Sequence, residues 1–233
     1  LLWLALLGAA PSALAAIAVD GTPQGYVSGA PATSHQLTFS PSAGTLGYVL
    51  VQIPAGGDFL NDPITDDKSN TWTKVGGATA TPGSSANGYL YRCSSLASGS
   101  TTITFSLSST ENLRAVAVSF TGVSSLDGSI VTNTAGSTTS ITSDAITTAN
   151  AGETVVGFLV TDGAGTITPA SSETEVIEGG ANRVQVQTKL EATSGSKTQS
   201  WTLGTARASV HFLQALIPSG AATVTPYYYQ LRR

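Results

Sequence analysis

From Ile17 to Ile217 the chain is a succession of short runs rich in Val, Ile, Thr, Phe and Tyr, interrupted by Gly, Ser, Asn, Asp and Pro. Beyond Ala16 no stretch sustains the apolar spacing of an amphipathic helix over a normal helix length. This punctuation leaves an all-β sandwich or barrel as the class the chain can form. The runs predict strands near Ile17–Asp20, His35–Ser40, Gly47–Ile53, Asn70–Val75, Gly88–Cys93, Ser100–Ser106 and Arg114–Phe120. Further strands are predicted near Asp127–Asn133, Thr139–Thr142, Thr154–Val160, Glu173–Glu178, Arg183–Leu190, Thr198–Leu203 and Ala208–Ile217.

Side chains alternate across a strand, so the patterns also assign faces. Ile103, Phe105 and Leu107 share one face while Thr102, Thr104 and Ser106 share the other. Val116, Val118 and Phe120 oppose the small residues Ala115, Ala117 and Ser119, which suit close sheet-on-sheet packing. Val184 and Val186 alternate with Arg183, Gln185 and Gln187, the pattern of a half-exposed strand. Gly47–Ile53 and Thr154–Val160 are nearly continuous in apolar residues and are expected to be covered on both sides. No repeat of solenoid or propeller period stands out.

Only 10% of the 233 residues are charged and the net charge is −4. Ser and Thr, about 60 in all, fill the gap left by an ordinary charged fraction of about 25%. The normal apolar content excludes a disordered charged tail. Ten cations spread along the chain make no basic stripe, so no nucleic-acid partner is expected. The single cysteine, Cys93, cannot form an internal disulfide and is expected to be a small packed residue.

Residues 1–16 read LLWLALLGAAPSALAA, an uncharged apolar run broken by Pro11 and Ser12 and followed by an Ala13-Leu14-Ala15 cleavage pattern. That is the latter part of a secretory signal peptide, trimmed at its front. A membrane helix and a hydrophobic arm used in assembly are the rivals; the run is short for a membrane span. The domain division expected is therefore an apolar segment at 1–16, a β-sandwich at 17–217 and a C-terminal docking tail at 218–233.

The segments Ile17-Ala-Val-Asp20, Ser34-His-Gln-Leu-Thr-Phe39, Gly47-Tyr-Val-Leu-Val51 and Asn70-Thr-Trp-Thr-Lys-Val75 follow one another in a familiar order. Gly99-Ser-Thr-Thr-Ile-Thr-Phe105, Ala117-Val-Ser-Phe-Thr-Gly-Val123, Ala151-Gly-Glu-Thr-Val-Val-Gly157 and His211-Phe-Leu-Gln-Ala-Leu216 continue it. In this the chain resembles a large group of mostly uncharacterised jelly-roll-like β-sandwich proteins, bacterial secreted and phage structural. The resemblance covers about Ile17–Ile217 and implies a surface or virion module. It carries no catalytic motif.

The chemistry-bearing residues are few. His35 and His211 lie in predicted strands, and G-x-S-x-G, H-E-x-x-H and paired C-x-x-C are absent, so no catalytic residue is assigned. Glu173 and Glu175 share a strand face near Glu178, which reads better as a solvated strand than as a glycosidase pair. Asp58, Asp62, Asp66 and Asp67 form the one loop with donors for a hard cation, calcium; the competing reading is that Asp and Asn there cap turns. No other cofactor is expected. Tyr89, Tyr91 and Trp201 are candidate glycan-stacking platforms, with core packing as the alternative. Tyr227, Tyr228, Tyr229, Arg232 and Arg233 combine the residue types favoured at interfaces and are the candidate partner-docking residues.

The expectation is an all-β, jelly-roll-like, two-sheet antiparallel sandwich of roughly ten to fourteen strands. Its expected role is non-enzymatic: a structural or adhesive subunit outside the cell, on a cell surface or on a virion, whose partners are copies of itself or other structural subunits. The alternative is a secreted carbohydrate-binding module with glycan partners.

Overall fold

The structure, a computed structural model, describes residues 15–54, 60–79 and 87–220. These residues contain no helix. The first eight strands are β1 (Ala18–Val27), β2 (Ala32–Phe39), β3 (Leu46–Ile53), β4 (Thr65–Asp66), β5 (Thr73–Thr79), β6 (Asn87–Cys93), β7 (Thr101–Glu111) and β8 (Arg114–Thr121). The next four are β9 (Val123–Thr142), β10 (Ile146–Thr148), β11 (Glu153–Thr161) and β12 (Ile167–Pro169). The last four are β13 (Thr174–Gly179), β14 (Val184–Glu191), β15 (Gly195–Lys197) and β16 (Ser200–Pro218).

All pairings between strands are antiparallel, and the sandwich contains four sheets where the sequence suggested two. A five-stranded sheet runs β1-β8-β3-β6-β5. A six-stranded sheet runs β12-β16-β11-β14-β13, with β9 also paired to β16. Two small sheets, β2-β7-β4 and β10-β15, complete the stack.

Three apolar layers hold the sheets together. The first lies between β2-β7 and one face of the five-stranded sheet, joining Leu37, Phe39, Ile103 and Phe105 to Val49, Val51, Tyr91 and Ala117. The second lies between the two large sheets, where Tyr48, Leu50, Val116 and Phe120 meet Val156, Phe158, Val210 and Phe212. The third lies on the far face of the six-stranded sheet, around Val155, Leu159, Leu213, Trp201, Ile146 and Ile167. Both large sheets are thus covered on both faces. That accounts for the unbroken apolar runs in β3 and β11, in which every residue is buried.

The prediction and the structure differ where the chain bends. Asp127–Asn133 and Thr139–Thr142 are parts of one strand, β9, and Thr198–Leu203 and Ala208–Ile217 are parts of β16. Trp201 and His211 are ten positions apart, about 33 Å along a straight strand, yet their ring centroids are 6.1 Å apart. The strand therefore folds over, with the largest of its register shifts against β9 between Thr202 and Arg207. The short strands β4, β10, β12 and β15 went unforeseen because two or three residues show no alternation.

Candidate functional site

The first and last described residues meet at one place. The Ala15 N–H donates to the Ser219 carbonyl at 3.0 Å, and the Ser219 N–H donates to the Gly122 carbonyl at 2.7 Å. The Ser124 hydroxyl donates to the Ile217 carbonyl at 3.1 Å, and the Thr121 hydroxyl to the Ala18 carbonyl at 3.4 Å. Two grooves adjoin this knot. One, of about 380 Å³, is lined by Thr45, Leu46, Phe120, Val123, Ser124 and Leu126. The other, of about 410 Å³, is lined by Ala15, Ile17, Thr154, Thr188, Leu190 and Pro218. Leu190 is 71% exposed, far more than any other large hydrophobic residue described.

The acidic groups near this end are engaged by neighbouring residues. Asp20 accepts from the Ser42 N–H and hydroxyl at 2.6 and 2.8 Å and from the Ser119 hydroxyl at 3.0 Å. Partial burial alone would raise its pKa, but these bonds outweigh burial and lower it. Glu191 is paired with Lys189 and Lys197 at 3.3 and 3.4 Å. Glu153 is buried, which pushes its pKa up; Asn150 bonds to it at 2.7 and 2.9 Å and opposes that shift. What remains outward is a surface of hydroxyls and aliphatic groups, suited to apolar contact with hydrogen bonds at its edge.

The residues singled out by sequence fall elsewhere. Tyr227, Tyr228, Tyr229, Arg232, Arg233 and Asp58 lie outside the described residues. Tyr89, Tyr91 and Trp201 are 4%, 0% and 1% exposed, so no sugar ring can stack on them: they are core. Tyr91 and Trp201 lie in separate layers, and Lys74 covers the Tyr89 ring at 4.6 Å.

Asp62, Asp66 and Asp67 are each engaged by hydrogen-bond donors of the protein. No group of three or more acidic, His or Cys residues able to hold a metal occurs among the described residues. Asp66 is a hydrogen-bond hub, accepting from the Lys68 and Asn70 N–H groups, the Asn70 amide at 2.8 Å and the Trp72 indole at 2.7 Å. Asp62 accepts from the Tyr91 hydroxyl and from Lys74 at 2.9 Å, and Asp67 from the Thr102 N–H at 2.9 Å. Turn capping, the competing reading of this loop, describes Asp66.

His35 is buried with both nitrogens engaged, by the Tyr26 hydroxyl at 3.0 Å and the Glu111 carbonyl at 2.9 Å. A carbonyl only accepts, so Nε2 carries the proton and Nδ1 accepts from Tyr26. Cys93 is buried, which raises its thiol pKa. Glu173 accepts from the Gln187 amide at 2.8 Å and the Ser200 N–H at 3.1 Å, and Glu175 from the Gln185 amide at 3.0 Å. These acids anchor interior amides rather than face one another across a cleft.

Sequence reasoning missed a polar interior. Gln185 and Gln187, expected on a half-exposed face, are fully buried, as are Gln199 and Gln214. Gln199 donates to the Val155 carbonyl at 2.7 Å and accepts from Gln187 at 3.0 Å. His211 is 2% exposed with no hydrogen-bond partner at either nitrogen. Burial lowers its pKa to about 4, with Asp144 pulling weakly the other way. The available signal was Gly157 in an otherwise bulky strand, since a missing Cβ there admits the Gln199 side chain.

No family model, curated protein or solved structure matches this chain.

Proposed function

We propose that the protein is a non-enzymatic structural or adhesive subunit of an extracellular or virion assembly, joined to its neighbours through the end where the first and last described residues meet. The observation that carries this reading is the Ala15–Ser219–Gly122 knot beside two grooves and the exposed Leu190. Ala15 and Ser219, near which the apolar and the Tyr- and Arg-bearing sequences attach, therefore lie together on a stack that buries most of its described large apolar side chains. The jelly-roll likeness is supported by the pairings β1:β8, β2:β7 and β3:β6, those of one long hairpin rolled on itself.

In sedimentation velocity the full chain is expected to self-associate, whereas a chain restricted to residues 15–220 should keep its circular dichroism and melting temperature but lose that association. A trimmed chain that still associates as the full one does would remove the basis for this reading.

A further inference from the structure

We infer that the chain is a tandem duplication: residues 18–121 and 123–218 are two copies of one eight-strand module, packed through the same face as a fused dimer. This rests on strand topology and is independent of the proposed function. Adding eight to each strand of β1-β8-β3-β6-β5 gives β9-β16-β11-β14-β13, which is the pairing order found in the second half. The flanking pair β2:β7 recurs as β10:β15. No described strand pairing joins a member of the first eight to a member of the second eight. One departure exists: β4 pairs with β7, whereas β12 pairs with the bent part of β16 rather than with β15.

The correspondence extends to residues. Gly47 is flanked by Cys93 and Ser119, and Gly157 by Gln187 and Leu213. At each glycine an outer-layer side chain occupies the Cβ position, but from different connections: Leu96, between β6 and β7, at Gly47, and Gln199, between β15 and β16, at Gly157. The next residues, Tyr48 and Phe158, both face the middle layer. The preceding turns match as well. Gly44 (φ 74°) donates to the Leu96 carbonyl at 2.8 Å, and Gly152 (φ 82°) donates to the Glu191 carbonyl at 2.7 Å. Each module ends in a left-handed glycine, Gly122 (φ 73°) and Gly220 (φ 84°).

The middle layer is then an isologous interface, in which each module offers the same strands, β3 and β8 or β11 and β16. The outer cores have diverged. The row Ala117–Val49–Tyr91 of the first module corresponds to His211–Leu159–Gln185 of the second. An apolar interior and a polar one share a backbone plan, so the repeat leaves little trace in the sequence.

The test is exchange of module order in the full chain: residues 1–14, 123–220, 15–122 and 221–233, joined in that sequence. All three new junctions fall at the Ala15–Ser219–Gly122 knot, where chain ends already touch. The exchanged chain is expected to fold with the near-ultraviolet spectrum of the parent and a melting temperature within a few degrees of it. If it does not fold, a full chain with a protease site at Gly122 decides. After cleavage the halves should co-elute at the parent mass, with a melting temperature that rises with concentration, as for a dimer. Halves that separate or unfold on cleavage would overturn the inference.

Discussion

The Tyr48 and Phe158 rings meet with centroids 5.0 Å apart and planes inclined at 50°. They occupy corresponding positions of the two large sheets, so this contact is the centre of the layer that joins them. Phe158→Ala should destabilise the protein by about 3–5 kcal/mol, because neighbours on two sheets cannot both collapse into the space. Urea denaturation checks this. A loss below about 1 kcal/mol would show that the sheets are held by something else.

Gly157 tests the outer layer. A Cβ there would lie 1.9 Å from the Gln199 side-chain amide oxygen Oε1. Gln199 cannot swing aside without releasing Val155 and Gln187. Gly157→Ala should therefore cost about 1–3 kcal/mol, the usual range for overpacking. Adding Gln199→Ala should make the pair of changes less costly than the sum of the two alone. Strict additivity in denaturant melts would contradict the contact.

His211 predicts an acid-labile interior. Its pKa falls from an ordinary 6.5 to about 4 in the fold. The unfolded chain thus binds the proton more readily. The contribution is fully present above about pH 6.5, declines as pH falls, and is exhausted below about pH 4. The total is on the order of 3 kcal/mol. His211→Leu should flatten the stability profile across this window, leaving the slopes of the carboxylates. An unchanged slope between pH 6 and pH 4 would count against a buried neutral imidazole.

Asp66 should matter as an acceptor. Asp66→Ala strands the Trp72 indole N–H and the Asn70 amide, and should cost on the order of 3 kcal/mol. Calcium or a chelator should leave the melting temperature of the parent protein unchanged. A calcium-dependent rise would mean that this loop gathers its oxygens around the ion after all.

Leu190→Lys should leave thermal stability within about 0.5 kcal/mol, since the side chain is 71% exposed. On the assembly reading it should weaken self-association of the full chain. Sedimentation velocity of the variant beside its parent measures both monomer integrity and association.

Strand identity was readable because alternation is a local property. Ile103, Phe105 and Leu107 face inward as their spacing required, and β3 is buried throughout as its composition required. Tyr91 and Trp201 show the limit. An aromatic in a strand serves equally as platform or core, and only the opposing layer decides which. Gln185 and Gln187 show the same limit for amides: their polar pattern suggested solvent, but a covering layer and the carboxylates of Glu175 on β13 and Glu173 just before it place them inside.

The amino-acid order alone determined that the chain pleats, where most strands run and which side chains share a face, because the period-two pattern needs no distant partner. It could not determine that the sheets stack in three apolar layers, that β16 folds over to bring Trp201 onto His211, or that one pairing plan occurs twice. Those features depend on contacts between residues remote in the chain. Two modules with the same backbone pairings can fill their interiors with unlike side chains, so their kinship appears only once the strands are paired.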